Sequence, residues 1–350
     1  MKLLCLAGDG IGPEIMASTL AVLTALRPSL SRPLTLQEAT IGFAALDSQG
    51  TTLPASVIDA ARTADGVVLG PVSHNAYPPR DQGGVNPSGL LRTSLELYAN
   101  VRPARGWEGV PRPVAPPIDL VVMRENLEGF YADRNMVSGP AEFMAEPGVA
   151  LALRKITEKG SIRIARAGFE LAQGRAVRRV TAVHKGNVMR LSDGLFLDCA
   201  RTVAQDFPDI AYDEMLVDAA AAHLVRSPDR FDVIVTTNMF GDILSDLASE
   251  LAGGLGLAAS LNIGPDVAMA QAQHGSAPDI AGQDRANPVS LILSVAMLLR
   301  HLNEARAATQ IETAVAACLA RPESRTRDLG GQLGTRAFTQ TLIDTLETVA

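Results

Sequence analysis

The sequence predicts an α/β protein of two lobes, and three observations carry that prediction. Short apolar segments rich in β-branched residues alternate along the chain with stretches of helical period, the pattern that folds into sheets flanked by helices. At 350 residues the chain is longer than one hydrophobic core usually serves, so two domains are expected. Its composition, 47% hydrophobic and 20% charged, is that of a compact globular protein.

Taken in order, residues 2–7 (KLLCLA) read as a strand, followed by a glycine-rich turn and an apolar-periodic helix from Pro13 to Leu26. Further strands are read at 66–70 (GVVLG), 119–125 (DLVVMRE), 180–185 (VTAVHK) and 231–235 (FDVIV), and helices at 151–173, 192–206 and 288–301. Another helix is read as opening at Ile243. The segment 102–117 carries five prolines, which excludes it from a helix or an inner strand and makes it a place for the chain to pass between lobes. Residues 129–147 lack clear period yet hold several aromatics, as an arm that packs on something else would.

Composition also excludes some functions. A net charge of −7 supplies no attraction for nucleic acid or an anionic membrane surface. The apolar run at the N-terminus is too short for a signal peptide, and no segment approaches the roughly 20 apolar residues that span a bilayer. Cys5, Cys199 and Cys318 are scattered and odd in number, which suits a reducing cytoplasm better than a disulfide framework or a cysteine metal site.

Several segments carry candidate chemistry. In LAGDGIGPE (6–14) the glycines are spaced G-x-G-x-G, and no acidic residue stands about 20 positions on, so the stretch reads as a tight strand-to-helix turn and not as a Rossmann site. The loop QHGSAPDIAGQDRANP (273–288) has no period; it is either a plain surface loop or one that wraps a nucleotide with backbone groups. Arg92, Arg102 and Arg124 stand near apolar segments, Arg124 at a strand end where side chains point beyond the carboxyl edge of a sheet. Each is either a surface charge or a bidentate carboxylate clamp. Tyr131 and Lys185 offer a phenol and an amine for acid–base work. Asp242 and Asp246 stand four apart after a strand, on one helix face; they form a solvated acidic face unless something positive sits between them.

Together, GDGIGPE, LRTSLELYANVRP, RENLEGFY, HKGN, VDAAAAHLV, TTNMFGDILSDLAS and HGSAPDIAGQDRANP resemble the β-decarboxylating dehydrogenases, the isocitrate and 3-isopropylmalate dehydrogenase family, in order from residue 8 to residue 288. The resemblance implies that family's fold, which is not a Rossmann fold. It implies a large lobe of residues 1–99 and 252–350 and a central lobe, 100–251, with the dimer contact and the arm. It implies a homodimer with shared active sites: Asp242 and Asp246, with Asp218 from the partner subunit, holding Mg²⁺ or Mn²⁺; Arg92, Arg102 and Arg124 on the carboxylates of a small hydroxy acid; Tyr131 as proton donor; Lys185 as base, from the neighbouring subunit; Asn187 near substrate and nicotinamide. Ile11, His274, Gly275, Ser276, Ala277, Asp279, Ile280 and Asn287 would bind the nucleotide. Asp279 followed by Ile280 implies NAD, since NADP-dependent members carry Lys then Tyr there.

The side group on C3 of the substrate would touch VNPSGLLR (85–92). Isopropylmalate dehydrogenases usually have an acid at the position of Val85 and leucines where Ser88 and Gly89 stand. Asn86 and Ser88 offer polar contacts, so isocitrate or homoisocitrate ranks slightly above isopropylmalate, followed by D-malate or tartrate. A noncatalytic regulatory subunit is the more distant alternative, because such subunits usually lack some catalytic residues and none is missing here.

Overall fold

Twelve strands are present in the computed structural model, which describes residues 1–131 and 141–348. In chain order they are β1 (Lys2–Leu6), β2 (Thr35–Ala39), β3 (Gly66–Leu69), β4 (Ala99–Arg105), β5 (Asp119–Glu125) and β6 (Glu142–Glu146). Then come β7 (Val149–Ala152), β8 (Arg179–His184), β9 (Ala211–Leu216), β10 (Val233–Thr236), β11 (Leu261–Ile263) and β12 (Ala268–Gln271). The chain forms two units, one of Met1–Leu97, Gly106–Pro113 and Ala252–Ala350, the other of Tyr98–Arg105 and Val114–Leu251.

In the first unit the strand order is β2-β1-β3-β12-β11, parallel except for the β11/β12 pair. Leu3, Leu4, Cys5 and Leu6 of β1 are all buried, as a parallel strand covered on both faces requires. Leu4, Leu6, Val67, Leu69 and Met269 join Leu91, Leu95 and Leu97 in one core, which ties the helix Pro87–Ser94 to this sheet. The helix Val289–His301 is buried on nearly every side, and helices Gly12–Ala25, Ala305–Ala320 and Thr335–Thr348 belong to the same unit.

In the second unit the order is β4-β5-β10-β8-β9, antiparallel only at β4/β5. The helix Glu158–Gln173 lies against this sheet so closely that a Cβ on Gly168 would stand 2.2 Å from Val235 Cγ2. Helices Ser192–Ala204, Val217–Arg226 and Asn238–Ala252 follow β8, β9 and β10.

Three expectations are corrected. The helix read at 151–173 starts at Glu158, where Thr157 Oγ1 caps it by accepting Gly160 N–H at 3.0 Å. Residues 149–152 instead pair with β6 as an exposed hairpin turned at Gly148 (φ +83°); a short apolar run fits strand or helix equally well by period. Pro103 lies within β4 opposite Val121, which sends its own N–H to Asp232 O, so the proline occupies a position from which this pair needs no donor. Finally, the helix read as opening at Ile243 begins at Asn238, so Asp242 lies beyond its first turn. Of the arm read at 129–147, residues 132–140 lie outside the described residues. No helix among the described residues is long and apolar enough to cross a membrane.

Candidate active site

In the second unit β5 ends at Arg124 and Glu125, β4 carries Arg102, and the helix after β10 places Asn238, Asp242, Ser245 and Asp246 on one face. Both arginines are buried. A buried guanidinium must be paired, and these two are paired with the acidic face. Arg102 Nη1 donates to Asp242 Oδ1 at 3.0 Å, Ser245 Oγ at 2.8 Å and Asp246 Oδ1 at 3.3 Å. Arg124 Nη1 pairs with Asp242 Oδ1, while Nε and Nη2 donate to Asn238 Oδ1 at 2.9 and 2.7 Å. Burial and the charge of Arg124 lower the Arg102 pKa to about 10, against the opposing pull of Asp242 and Asp246. Arg102 therefore stays charged at neutral pH.

Tyr131 completes the cluster. Its hydroxyl accepts from Arg124 Nη2 at 2.7 Å and donates to Asp242 Oδ2 at 3.0 Å. Two residues not anticipated from the sequence hold this arrangement. Asn238 bridges Arg124 and the backbone carbonyl of Glu128, 2.9 Å from its Nδ2, and Gly241 lets the helix approach, since a Cβ there would stand 2.6 Å from Arg124 Cγ. Their signal lies in the i, i+4 spacing from Asn238 to Asp242, and in a glycine retained within a helix at about 1 kcal/mol relative to alanine.

Lys185 and Asp218 form a separate pair, Nζ to Oδ1 2.5 Å, with the Asp218 carboxyl held below its usual range by that hydrogen bond. Among the described residues no three acidic, histidine or cysteine side chains are grouped to hold a metal, so Asp218 does not join Asp242 and Asp246 within one chain. Lys185 is anchored through its backbone N–H to Asp193 Oδ2 at 2.5 Å, and Asp193 is fully buried. Arg154 Nη1 pairs with Asp193 Oδ1 at 2.5 Å, and Arg154 also donates to Ser192 Oγ and Thr237 Oγ1 at 2.8 and 3.0 Å. Asn187 lies in the turn between β8 and the next helix.

In the first unit, Arg92 Nη2 and Ser88 Oγ both donate to Gln271 Oε1, at 3.0 and 3.2 Å. Asn86, expected on the substrate, caps the helix Pro87–Ser94 through Oδ1, which accepts Gly89 N–H at 3.2 Å. The glycine-rich turn and the 273–288 loop are joined: Ile11 N–H donates to Ser276 O at 2.8 Å, and a Cβ on Gly10 (φ +58°) would overlap that carbonyl. Asp9, also not anticipated, accepts Phe43 N–H and Ser73 N–H at 2.9 Å each and the Tyr77 hydroxyl. Ser73 and Ser276 share a 2.8 Å hydrogen bond. Ala277 has φ +37°, a backbone that side chains disfavour. His274 Nδ1 lies 3.0 Å from the carbonyl oxygen of Gly275, and burial lowers the pKa of the ring and keeps it neutral. Asn287 bonds Asp328 Oδ2 and Val289 N–H, so it shapes the loop from within. Asp279 is exposed and Ile280 half-buried, both in the short turn Pro278–Ile280.

An α/β unit whose adjacent strands β4 and β5 present two arginines to a helix bearing two aspartates, with a phenol beside them, has the groups to bind a polycarboxylate and move a proton. The chain belongs to the isocitrate/isopropylmalate dehydrogenase family, whose model matches residues 2–346, and it is an oxidoreductase of that β-decarboxylating type. It is 42% identical to the isocitrate/homoisocitrate dehydrogenase of Thermus thermophilus, over 99% of both chains. It is 41% identical to the 3-isopropylmalate dehydrogenase of Archaeoglobus fulgidus, again over 99% of both. Its fold matches the crystal structure of isocitrate dehydrogenase from Methylococcus capsulatus with a TM-score of 0.89, at 39% identity and 99% coverage of each chain.

Proposed function

We propose that the chain is an NAD- and divalent-metal-dependent dehydrogenase that oxidises a 2-hydroxy acid and removes its β-carboxylate as CO₂. The observation that carries this reading is the convergence of Arg102, Arg124 and Tyr131 on Asp242. The donor set fits a metal. One nitrogen, Arg102 Nη1, already lies 3.0 and 3.3 Å from carboxylate oxygens of Asp242 and Asp246, so positive charge belongs between them, and oxygen-only donors suit a hard cation such as Mg²⁺ or Mn²⁺. The pairing of Asp218 with Lys185, away from that pair, supports a third carboxylate supplied by a second copy of the chain. The metal would polarise oxygens on the reacting carbon, and NAD⁺ would take the hydride.

The chain's own residues divide the remaining work. Arg102 and Arg124 neutralise substrate carboxylates, and so does Arg92. Lys185 takes the proton of the C2 hydroxyl. After CO₂ leaves, Tyr131, held between Arg124 Nη2 and Asp242 Oδ2, delivers a proton to C3. Asn187 contributes near the reacting carbon. The glycine turn at Ile11 and the loop of His274, Gly275, Ser276 and Ala277 bind the nucleotide, and Asn287 shapes that loop. Asp279 is exposed, and its carboxylate makes no hydrogen bond among the described residues. It suits the ribose hydroxyls of NAD⁺ and repels a 2′-phosphate of about −1.5 to −2 charge.

The exposed apolar side chains Phe143, Met144, Val149 and Leu151 on the β6/β7 hairpin support a homodimer in which that arm is covered. Ser88, Gly89 and the amide of Gln271 beside Arg92 favour a polar group on C3, hence isocitrate or homoisocitrate before isopropylmalate, with D-malate or tartrate behind. A panel of these acids with NAD⁺ and Mn²⁺, read by NADH absorbance, tests the function; turnover of none of them overturns it. A kcat/KM for isopropylmalate more than tenfold above both tricarboxylic acids overturns the ranking only.

A further inference from the structure

Both backbone polar groups of Lys185 are held in hydrogen bonds. Its N–H donates to Asp193 Oδ2 at 2.5 Å, and its carbonyl accepts the N–H groups of Val188 and Met189 at 3.0 and 2.9 Å. The N–H of Gly186 donates to His184 Nδ1 at 3.0 Å. A lysine side chain is a flexible stem, so the place of its Cα and the direction of its Cα–Cβ bond bound where Nζ reaches. Asp193 stands in the first turn of the helix Ser192–Ala204 and is fully buried. Its other oxygen is taken by Arg154 Nη1 at 2.5 Å, and Arg154 is held in turn by Ser192 Oγ, Thr237 Oγ1 and the rings of Phe130 and Phe240. A neutral residue could cap the helix, whereas a carboxylate has to be paired to stay buried. What the charge adds is a stronger bond to the Lys185 N–H.

We propose that Asp193 is a positioning residue: it sets the reach of Lys185 Nζ toward the C2 hydroxyl, with Arg154 fixing which of its oxygens faces Lys185. This rests on the function proposed above. Because Lys185 serves the neighbouring subunit's site, the effect of Asp193 falls on that site and not on the one its own chain builds with Arg124 and Asp242. Asp193 touches the Lys185 backbone directly, and it reaches Thr237 and the aspartate helix only through Arg154. A displacement of about 1 Å at a reacting group costs on the order of a hundredfold in rate.

The test compares two double variants on whichever acid of the panel the unmodified protein oxidises. Arg154→Met with Asp193→Asn keeps an oxygen for the Lys185 N–H, and Arg154→Met with Asp193→Leu removes it. Both leave the two positions uncharged, and the loss of Arg154 is common to them. The leucine pair should show a kcat about ten- to a hundredfold below that of the asparagine pair, with KM for the acid within about threefold. Mixed with inactive Arg124→Ala, the leucine pair should regain activity through hybrid dimers, at least about threefold above the sum of the separate chains. Mixed with inactive Lys185→Ala it should regain none, because both lesions then strike the same contribution to the site. Where the leucine pair does not fold, Asp193→Glu takes its place against the unmodified protein: it keeps the charge beside Arg154 and shifts the carboxylate by one methylene, with the same loss of kcat and the same sorting expected. Equal kcat in the compared proteins overturns the inference. Rescue by Lys185→Ala also overturns it, since Asp193 would then act on its own chain's site, and so does rescue by neither partner, which marks a merely structural loss. Failure of Lys185→Ala and Arg124→Ala to complement each other after confirmed exchange refutes the neighbour's share and the inference with it. If the unmodified protein oxidises none of the acids, the proposed function itself fails; turnover with any of the other adverse results overturns the inference alone.

Discussion

Asp246 is bonded to Arg102 at 3.3 Å with half of its side chain exposed, so replacing it changes charge without opening the core. Asp246→Asn should raise the Mn²⁺ concentration needed for half-maximal activity and lower kcat, with an unchanged unfolding midpoint; an unaltered metal titration would remove Asp246 from the ligand set. Cofactor choice also belongs to single residues. Asp279→Lys combined with Ile280→Tyr should shift the ratio of kcat/KM values toward NADP⁺ by at least tenfold, whereas equal use of both cofactors by the unmodified protein would deny Asp279 its role. Glu125 supplies a pH test. Burial and the neighbouring charge of Glu128 raise its pKa from 4.5 to about 7, against the N–H groups of Leu127 and Glu128 that it accepts. The native state therefore holds this proton more tightly than the unfolded chain does. Its contribution is full below 4.5 and falls away as pH rises to about 7. Glu125→Gln should flatten the decline in Tm across that window, measured by thermal melts at several pH values.

Between elements, two contacts decide how well the second unit holds together. Gly168 allows the helix Glu158–Gln173 to meet β10, and a methyl group there would press on Val235. Gly168→Ala gains helix propensity of about 1 kcal/mol but overpacks at a cost of about 1–3 kcal/mol. A net loss is expected in urea denaturation, and Val235→Ala in the same chain should relieve part of it. Arg154 joins the turn after Lys185, through Asp193, to Thr237 at the start of the aspartate helix, and lies within 5.7 Å of the Phe130 ring beside Tyr131. With Asp193 fully buried, Arg154→Met leaves an uncompensated charge and should cost about 3–5 kcal/mol; adding Asp193→Asn should recover a good part of the loss.

For the whole molecule, the placement of Lys185 and Asp218 away from Asp242 and Asp246 makes subunit exchange informative. If each site draws Lys185 from its neighbour, inactive Lys185→Ala mixed with inactive Arg124→Ala yields hybrids with one intact site, about a quarter of full activity at statistical exchange. No rescue after confirmed exchange would mean that each chain builds its own site. The sequence by itself determined the α/β class and the position of β1, β3, β5, β8 and β10, because periodicity is a local property; the candidate site residues came from the family resemblance of its motifs. It could not place β2, β9 or β12, whose short or weakly apolar segments acquire strand character by pairing with other strands. Nor could it find Gln271 beside Arg92, Asn238 beside Arg124, or Asp9 beside Tyr77 under the glycine-rich turn. Those partners stand 179, 114 and, from Asp9 to Tyr77, 68 positions apart, and only tertiary packing brings a buried donor to its acceptor over such separations. Tertiary structure also decided that Asn86 caps a helix and that the aspartate helix starts at Asn238, since a cap is defined by where the backbone turns and not by the residue alone.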